Sequence, residues 1–385
     1  MTSRERIEAL LAPQARYEEL RAQTMVRAGT HLCDLGYANA WDGPPPEVTA
    51  AIEKALHAPR QLDLQYTPYG GATITRRHVA RSLSPVHGER FGWRHVVMTP
   101  GAMAGLNVVF RSLVDEGPGG EVVVVTPCWL DVPLYVENLG LRCLLAPVHP
   151  KTLRIDLDRI ADALGRTTRA LVLAQPANPT GLIASEPELR ALSTLLRERA
   201  PQALLVSDEC HRDVLFAGHP FVSPLDFHPR ACAVHSFGKT WAMQGQRIGY
   251  VAVSPAHDDA VGYAEELSRL CRVMGFATPT SLMQLAVREL AGKSPGFDAI
   301  AVRRQRALAA LDEAGYELVP SEATFFLYPE APGGDAFGFT ERMAEQGVLV
   351  LPAEMFHHSG HVRLSLTATD AMLDRALPLL AEAAK

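Results

Sequence analysis

Ala231-Cys232-Ala233-Val234-His235-Ser236-Phe237-Gly238-Lys239 is the stretch on which the fold turns. Ala231–His235 is short and apolar on both faces, as strands buried inside a parallel sheet are. A serine and a lysine follow at once, where the chain must leave the sheet. Working outward, runs of the same kind stand at Val96–Thr99, Glu121–Val125, Ala170–Ala174, Ala203–Ser207 and Ile248–Val253. Between them lie segments of helical period near Ala102–Val114, Asp131–Leu139, Leu157–Leu164, Glu186–Arg199 and His257–Leu270. Strands alternating with helices predict an α/β fold with a mostly parallel sheet. Loops are marked by Gly117-Pro118-Gly119-Gly120, Pro127 and Pro176, and Pro44-Pro45-Pro46 leads into a first helix starting near Glu47.

After about residue 285 the rhythm changes. A long helical stretch, Phe297–Ala314, precedes strand-like runs at Tyr316–Val319, Thr324–Tyr328, Val348–Leu351 and Val362–Ser365, with helices near Ala336–Gln346 and Ala371–Ala384. That is an α+β piece suited to a smaller second domain. The expected division is 1–44 as an N-terminal segment belonging to the small domain and covering the active site, 45–284 as the large domain and 285–385 as the small one.

Bulk properties narrow the function. The chain has 385 residues, 47% apolar and 21% charged, enough for two domains with real cores. A net charge of −6 offers no footprint for nucleic acid, and the pairs Arg76-Arg77 and Arg303-Arg304 fall in helical patterns as solvated faces. Six scattered cysteines form no C-x-x-C pair and no metal-ligand cluster with histidines, so reduced thiols and no metal are expected. No apolar run has the length of a signal peptide or a membrane span, which makes a cytoplasmic protein the expectation.

Polar groups cluster where strands end, the place an open α/β sheet binds ligands. Gly101-Ala102-Met103 follows one strand and opens a helix; Asn178-Pro179-Thr180-Gly181, Asp208-Glu209 and Ser236-Phe237-Gly238-Lys239 follow others, with Arg247 shortly after. Each has an ordinary reading by itself: N-P-T-G is a common turn, and Asp208-Glu209 suits a helix start. Together they suit an anionic, aromatic, carbonyl-bearing cofactor. A lysine at the end of a buried strand loses its proton easily and attacks aldehydes. Ser236, Arg247 and the helix amides of 101–103 make a phosphate site. Asp208 can hold a pyridinium nitrogen, Asn178 can donate to a ring oxygen, and Trp129 offers a flat face.

With these residues in view the chain resembles the fold-type I pyridoxal-phosphate enzymes, specifically the class I/II aminotransferase family, from about residue 35 to the C-terminus. The motifs are Tyr66-Thr67-Pro68-Tyr69-Gly70-Gly71, Pro100–Met103, Pro127-Cys128-Trp129, Asn178–Gly181, Ser207-Asp208-Glu209, Ser236–Lys239, Gln246-Arg247-Ile248-Gly249-Tyr250 and Val362-Arg363-Leu364-Ser365. The resemblance implies a large domain with a mostly parallel seven-stranded sheet plus a smaller α+β domain. It implies pyridoxal 5'-phosphate held by Lys239 as a Schiff base, Asp208 at the pyridine nitrogen, Asn178 at the phenolic oxygen and Trp129 stacked on the ring. Gly101, Ala102, Met103, Ser236 and Arg247 would bind the phosphate, and Arg363 the substrate carboxylate with Gly36 nearby. Tyr66 would reach the phosphate of a neighbouring subunit, hence a homodimer with shared active sites. The substrates would be an L-amino acid and a 2-oxo acid.

Some positions depart from that pattern. His211 stands where the family commonly has tyrosine; it either preserves a hydrogen bond to the phenolic oxygen or supplies a second base and alters the reaction. Pro352-Ala353 replaces a proline-glycine turn. Met103 stands where some aspartate-type relatives have a basic residue reading a distal carboxylate, which argues against a dicarboxylic first substrate unless an arginine from elsewhere compensates. In the covering segment, Tyr37 and Asn39 are candidate substrate contacts and His31 reads as structural. Two other outcomes stay open on the residues: a lyase, β/γ-replacement enzyme, cyclase or oxidase using the same cofactor, and a non-catalytic binding module. Intact Lys239, Asp208 and Arg363 argue against the module, as does an N-terminus too short for a DNA-binding extension.

Overall fold

The structure is a computed structural model that describes residues 3–57, 63–87, 90–114, 120–275 and 278–385. Gly117–Gly119, expected as a loop, lie outside these.

Alternation along the strands builds the centre of the molecule. In Glu121–Thr126, Val122 and Val124 face one apolar cluster while Val123 and Val125 face another; Ala170 and Val172 oppose Leu171 and Leu173 in the same way. Both sheet faces are therefore covered, and β-branched residues suit that two-sided burial. Seven strands run in the order Val96–Thr99, Gly249–Val253, Ala231–Ser236, Leu204–Asp208, Thr168–Ala174, Glu121–Thr126, Arg142–Pro147. All point one way except Gly249–Val253, which is antiparallel to both neighbours. The sheet is thus mostly parallel, as expected, with one reversed strand, and the reversal matters. Its first residue, not its last, lies at the edge where Ser236 and Asp208 end.

Helix ends follow local chemistry. Ser185 and Glu188 form a reciprocal cap at the start of Glu186–Arg199, the Ser185 amide donating to Glu188 Oε2 at 2.8 Å. Pro46 opens Pro46–Leu56 at a position needing no amide donor.

The C-terminal region forms a three-stranded antiparallel sheet, Leu351–Pro352, Val362–Ser365 and Phe326–Leu327. Tyr316–Val319, expected as a strand, is irregular; beside it the Glu330 amide donates to the Glu317 carbonyl. Val348–Leu351 divides, because Val348–Leu349 pairs in parallel with Cys33–Asp34 and Leu351 turns to the other sheet. The N-terminal helix Ser3–Ala28 buries Tyr17 and Thr24 and reaches both ways: Arg16 pairs with Glu341 at 2.6 Å, and Arg6 with Glu137 at 2.6 Å. No helix among the described residues is long and apolar enough to cross a membrane.

Candidate active site

A cavity of about 410 Å³ opens at the strand-end edge. Lys239, Asp208, Asn178, Trp129, His211, Ser236, Arg247 and Arg363 line it, together with Ala102, Met103, Tyr37 and Asn39. Gly36 stands just behind, its carbonyl accepting from Arg363 Nη2 at 2.8 Å. Tyr66 is fully exposed and His31 is exposed, and neither lines the cavity.

The anion end is built by close approach. Gly101 has φ +77°, a conformation glycine adopts without strain, and a Cβ there would lie 2.8 Å from Arg247 Nη2. The guanidinium therefore lies across the start of helix Gly101–Ser112, whose first amides have no side-chain cap. At Gly249, a Cβ would overlap the His235 carbonyl oxygen and come within 3.1 Å of the Gly101 backbone. The missing side chain lets Ser236, Arg247 and the helix start converge. Gly249→Ala is expected to destabilise the protein by about 1–3 kcal/mol, the cost of overpacking a filled site, because backbone rather than a flexible side chain must give way. A chemical melt checks it; an unchanged midpoint contradicts the packing argument.

Electrostatics differ around the cavity. Burial, opposed by the neighbouring Cys210 and Asp208 and reinforced by Arg363, lowers Lys239 from 10.5 to about 8, so roughly a fifth of it is free amine near pH 7.4, far more than for an exposed lysine. Burial raises Asp208, against the Cys210 bonds that favour its charged form, including the Cys210 amide at 3.1 Å from Oδ1. Burial also holds His211 well below the ordinary imidazole value, with Lys239 and Arg363 adding to it; the ring is neutral, packed edge-on to Phe325 and Phe326, and its Nδ1 has no hydrogen-bond partner.

Arg363 is 2% exposed, and burial lowers it to about 9. It stands 3.9 Å from the Phe326 ring centre and 4.9 Å from that of Phe356. Nη1 donates to Asn178 Oδ1 at 3.0 Å, while Nε is buried without a partner. This is a guanidinium held rigid and short of an anion. The same bond turns Asn178 so that its amide nitrogen remains free to donate elsewhere. Trp129 is fixed by its own N–H, which donates to Asp131 Oδ2 at 2.9 Å.

Sequence reasoning missed Arg21, Tyr135, Cys210 and Gln244, all of which line the cavity. Arg21 was findable: Tyr17, Arg21 and Thr24 recur at i, i+4 and i+7, one face of a helix. Among the described residues there is no cluster of histidine, cysteine and carboxylates able to hold a metal.

Residues 30–380 match the model of the family described as aminotransferase class I and II. The aspartate/prephenate aminotransferase of Thermus thermophilus is 30% identical, covering 96% of this chain and 94% of that protein. The arginine–pyruvate transaminase of Pseudomonas aeruginosa is 29% identical over 90% of this chain and 88% of its own. Among solved structures, the Thermus thermophilus aspartate aminotransferase with maleate superposes with a TM-score of 0.83 at 28% identity, covering 97% of this chain and 96% of that one.

Proposed function

We infer, from a chain that belongs to the class I and II aminotransferase family, how its own residues divide the work of moving an amino group from an L-amino acid to a 2-oxo acid. The protein is a pyridoxal-phosphate-dependent aminotransferase of fold type I. The observation that carries the assignment of roles is the convergence of a buried lysine of lowered pKa, a buried carboxylate and an uncapped helix start under an arginine in one cavity.

The residues fit pyridoxal 5'-phosphate. Gly101, Ala102 and Met103 would offer amides to its phosphate, with Arg247 and the Ser236 hydroxyl beside them. Asp208 would pair with the pyridine nitrogen, Asn178 and His211 would face the phenolic oxygen, and Trp129 would cover the ring. When bound, the cofactor supplies an aldehyde carbon that links covalently to amines and a ring that takes up the electron pair left at Cα.

Lys239 would carry the cofactor covalently and, once freed by the incoming amine, take the Cα proton at Nζ. Arg363 would clamp the substrate carboxylate; a planar guanidinium that lacks an anion is shaped for this. Gly36 would hold Arg363 in place through its carbonyl, and Tyr37 and Asn39 would border the substrate. The exposed Tyr66 suits a contact with a second subunit, so we assign a homodimer with shared sites. The division into a large domain, 45–284, and a small one, 285–385 with 1–44 attached, is supported by the pairing of Cys33–Asp34 with Val348–Leu349. A cytoplasmic location fits the reduced cysteines, which are all unpaired among the described residues.

The test uses the cofactor-loaded enzyme and one amino acid at a time. The expected result is one 2-oxo acid released per site, matched by conversion of the cofactor to its amine form and loss of near-visible absorbance. Release of ammonia or peroxide with the aldehyde form persisting would instead establish a lyase or an oxidase.

A further inference from the structure

Lys239 stands on a helix too short to hold itself. Phe237–Thr240 is a single turn, closed by the Trp241 amide donating to the Phe237 carbonyl at 3.0 Å. One turn fixes several dihedrals for one hydrogen bond, so its orientation must be imposed from outside. Its start is tied down: the Phe237 amide donates to the Ile248 carbonyl at 3.1 Å, and the Ser236 hydroxyl accepts the Gly238 amide at 3.3 Å. Its end is tied down by Thr240, whose hydroxyl donates to Asp213 Oδ2 at 2.7 Å. A threonine in a helix commonly bonds back to the turn before it. This one reaches a carboxylate 27 residues earlier in the chain.

Asp213 is a firm mount. Its segment follows strand Leu204–Asp208 and brings Cys210 and His211, beside Asp208 itself, to the cavity wall. Turns fix that segment, the Arg212 amide donating to the Glu209 carbonyl at 3.2 Å and the Val214 amide to the His211 carbonyl at 3.0 Å. The Val214 carbonyl in turn accepts the Thr324 amide at 2.8 Å. Two other groups face the carboxylate: Arg212, with Nε 3.6 Å from Oδ1, and His235, with Nε2 3.7 Å from Oδ2, both longer than a hydrogen bond. Partial burial would raise the Asp213 carboxyl, and Arg212 leads the groups that hold it below the ordinary range. The Thr240 hydroxyl therefore meets an anion, which makes the stronger kind of hydrogen bond.

Resting on the reading of Lys239 as covalent anchor and base, we propose that Thr240 and Asp213 are positioning residues for it, a cross-tie that fixes the lysine turn against the segment carrying Asp208 and His211. The amine sits on a flexible four-carbon stem and must serve two targets, the cofactor carbon and the Cα proton. Where the stem starts is set by the turn, and a displacement of about 1 Å at a reacting atom costs on the order of 10²-fold in rate. The phosphate end, by contrast, is built at the start of the turn and at helix Gly101–Ser112, away from this tie.

The experiment compares wild type with Thr240→Val, which keeps the shape and removes the hydroxyl, with Thr240→Ser, with Asp213→Ala and with the double variant Thr240→Val/Asp213→Ala. Cofactor-free protein is mixed with saturating pyridoxal phosphate, and covalent capture is followed as near-visible absorbance. Inorganic phosphate is then added as a competitor to read the anion end separately. The saturating capture rate is expected to fall more than about fivefold in Thr240→Val and in Asp213→Ala, the scale of a fraction of an ångström in misplacement. Thr240→Ser is expected to stay within about twofold of wild type, and the double variant within about twofold of the slower single, because both changes remove one bond. The inhibition constant for phosphate is expected to hold throughout. Asp213 is one-third exposed, so Asp213→Ala carries the test should Thr240→Val not fold. A smaller fall, losses that multiply in the double variant, or a phosphate constant that weakens as much as capture does would overturn the proposal, the last because the whole cavity would have loosened. If wild type itself develops no near-visible band, the reading of Lys239 fails first and takes this inference with it.

Discussion

Lys239→Ala is expected to lower turnover by about 10²–10⁴-fold, the usual contribution of a positioned general base, and to remove the near-visible absorbance of covalently held cofactor. The expectation follows from where the residue sits. It stands just past the end of strand Ala231–Ser236, on the short helix Phe237–Thr240, and its amine is withdrawn from water. Desolvation penalises the ammonium and not the free amine, so the value falls to about 8. Only the unprotonated amine attacks an aldehyde. The rate at which cofactor-free enzyme captures pyridoxal phosphate should therefore climb with pH through a midpoint near 8, two units or more before an exposed lysine would respond. Lys239→Arg keeps the charge but offers no nucleophile, and should behave as the alanine variant does. Retained absorbance and turnover in Lys239→Ala would remove the basis for the site.

Arg363→Met separates binding from stability. If Arg363 clamps the substrate carboxylate as proposed, replacing the guanidinium removes that bidentate, charge-assisted contact, and kcat/KM for every amino acid should fall by about 10²-fold, with lysine a poor substitute because it lacks the planar fork. In the cofactor-free protein the opposite pressure applies. Arg363 is buried, pushed down to about 9 by that burial, and one of its nitrogens has no partner. A methionine of comparable reach avoids that desolvation, so the cofactor-free variant should melt no lower than wild type. A large drop in Tm would mean that the bonds to Asn178 and Gly36 hold the fold, and that the loss of activity reflects unfolding.

What the sequence disclosed follows from how strongly each segment is constrained. Strands buried on both faces, such as Glu121–Thr126 and Leu204–Asp208, are nearly all apolar and were legible. The seventh strand, Arg142–Pro147, is at the sheet edge with only Ala146 buried, so its composition carries no clear period, and it was missed. Tyr316–Val319 has strand-like residues but forms no ladder, the Glu330 amide on the Glu317 carbonyl being the backbone bond it receives from the neighbouring segment, a matter of tertiary context that propensity does not record. The helix Ser3–Ala28 was also passed over, because charged residues dominate it and only Tyr17 and Thr24 are fully buried. That omission hid Arg21. Lys239, Asp208, Asn178 and Arg363 were legible because each stands in a short motif at or beside a strand. Arg21 and Tyr135 stand on helices whose placement over the cavity depends on how distant elements pack.

The empty place at residue 249 also acts as an index mark for assembly. Ser236 faces Gly249 across the hairpin, and only a residue with nothing beyond its Cα can sit against the His235 carbonyl. Were the strand to slide one notch either way, Ile248 or Tyr250 would arrive there and fail to seat. A single alignment survives, and it sets how far Arg247 stands from the serine. One extra residue inserted among 241–245 would lengthen the connecting loop and leave that separation untouched.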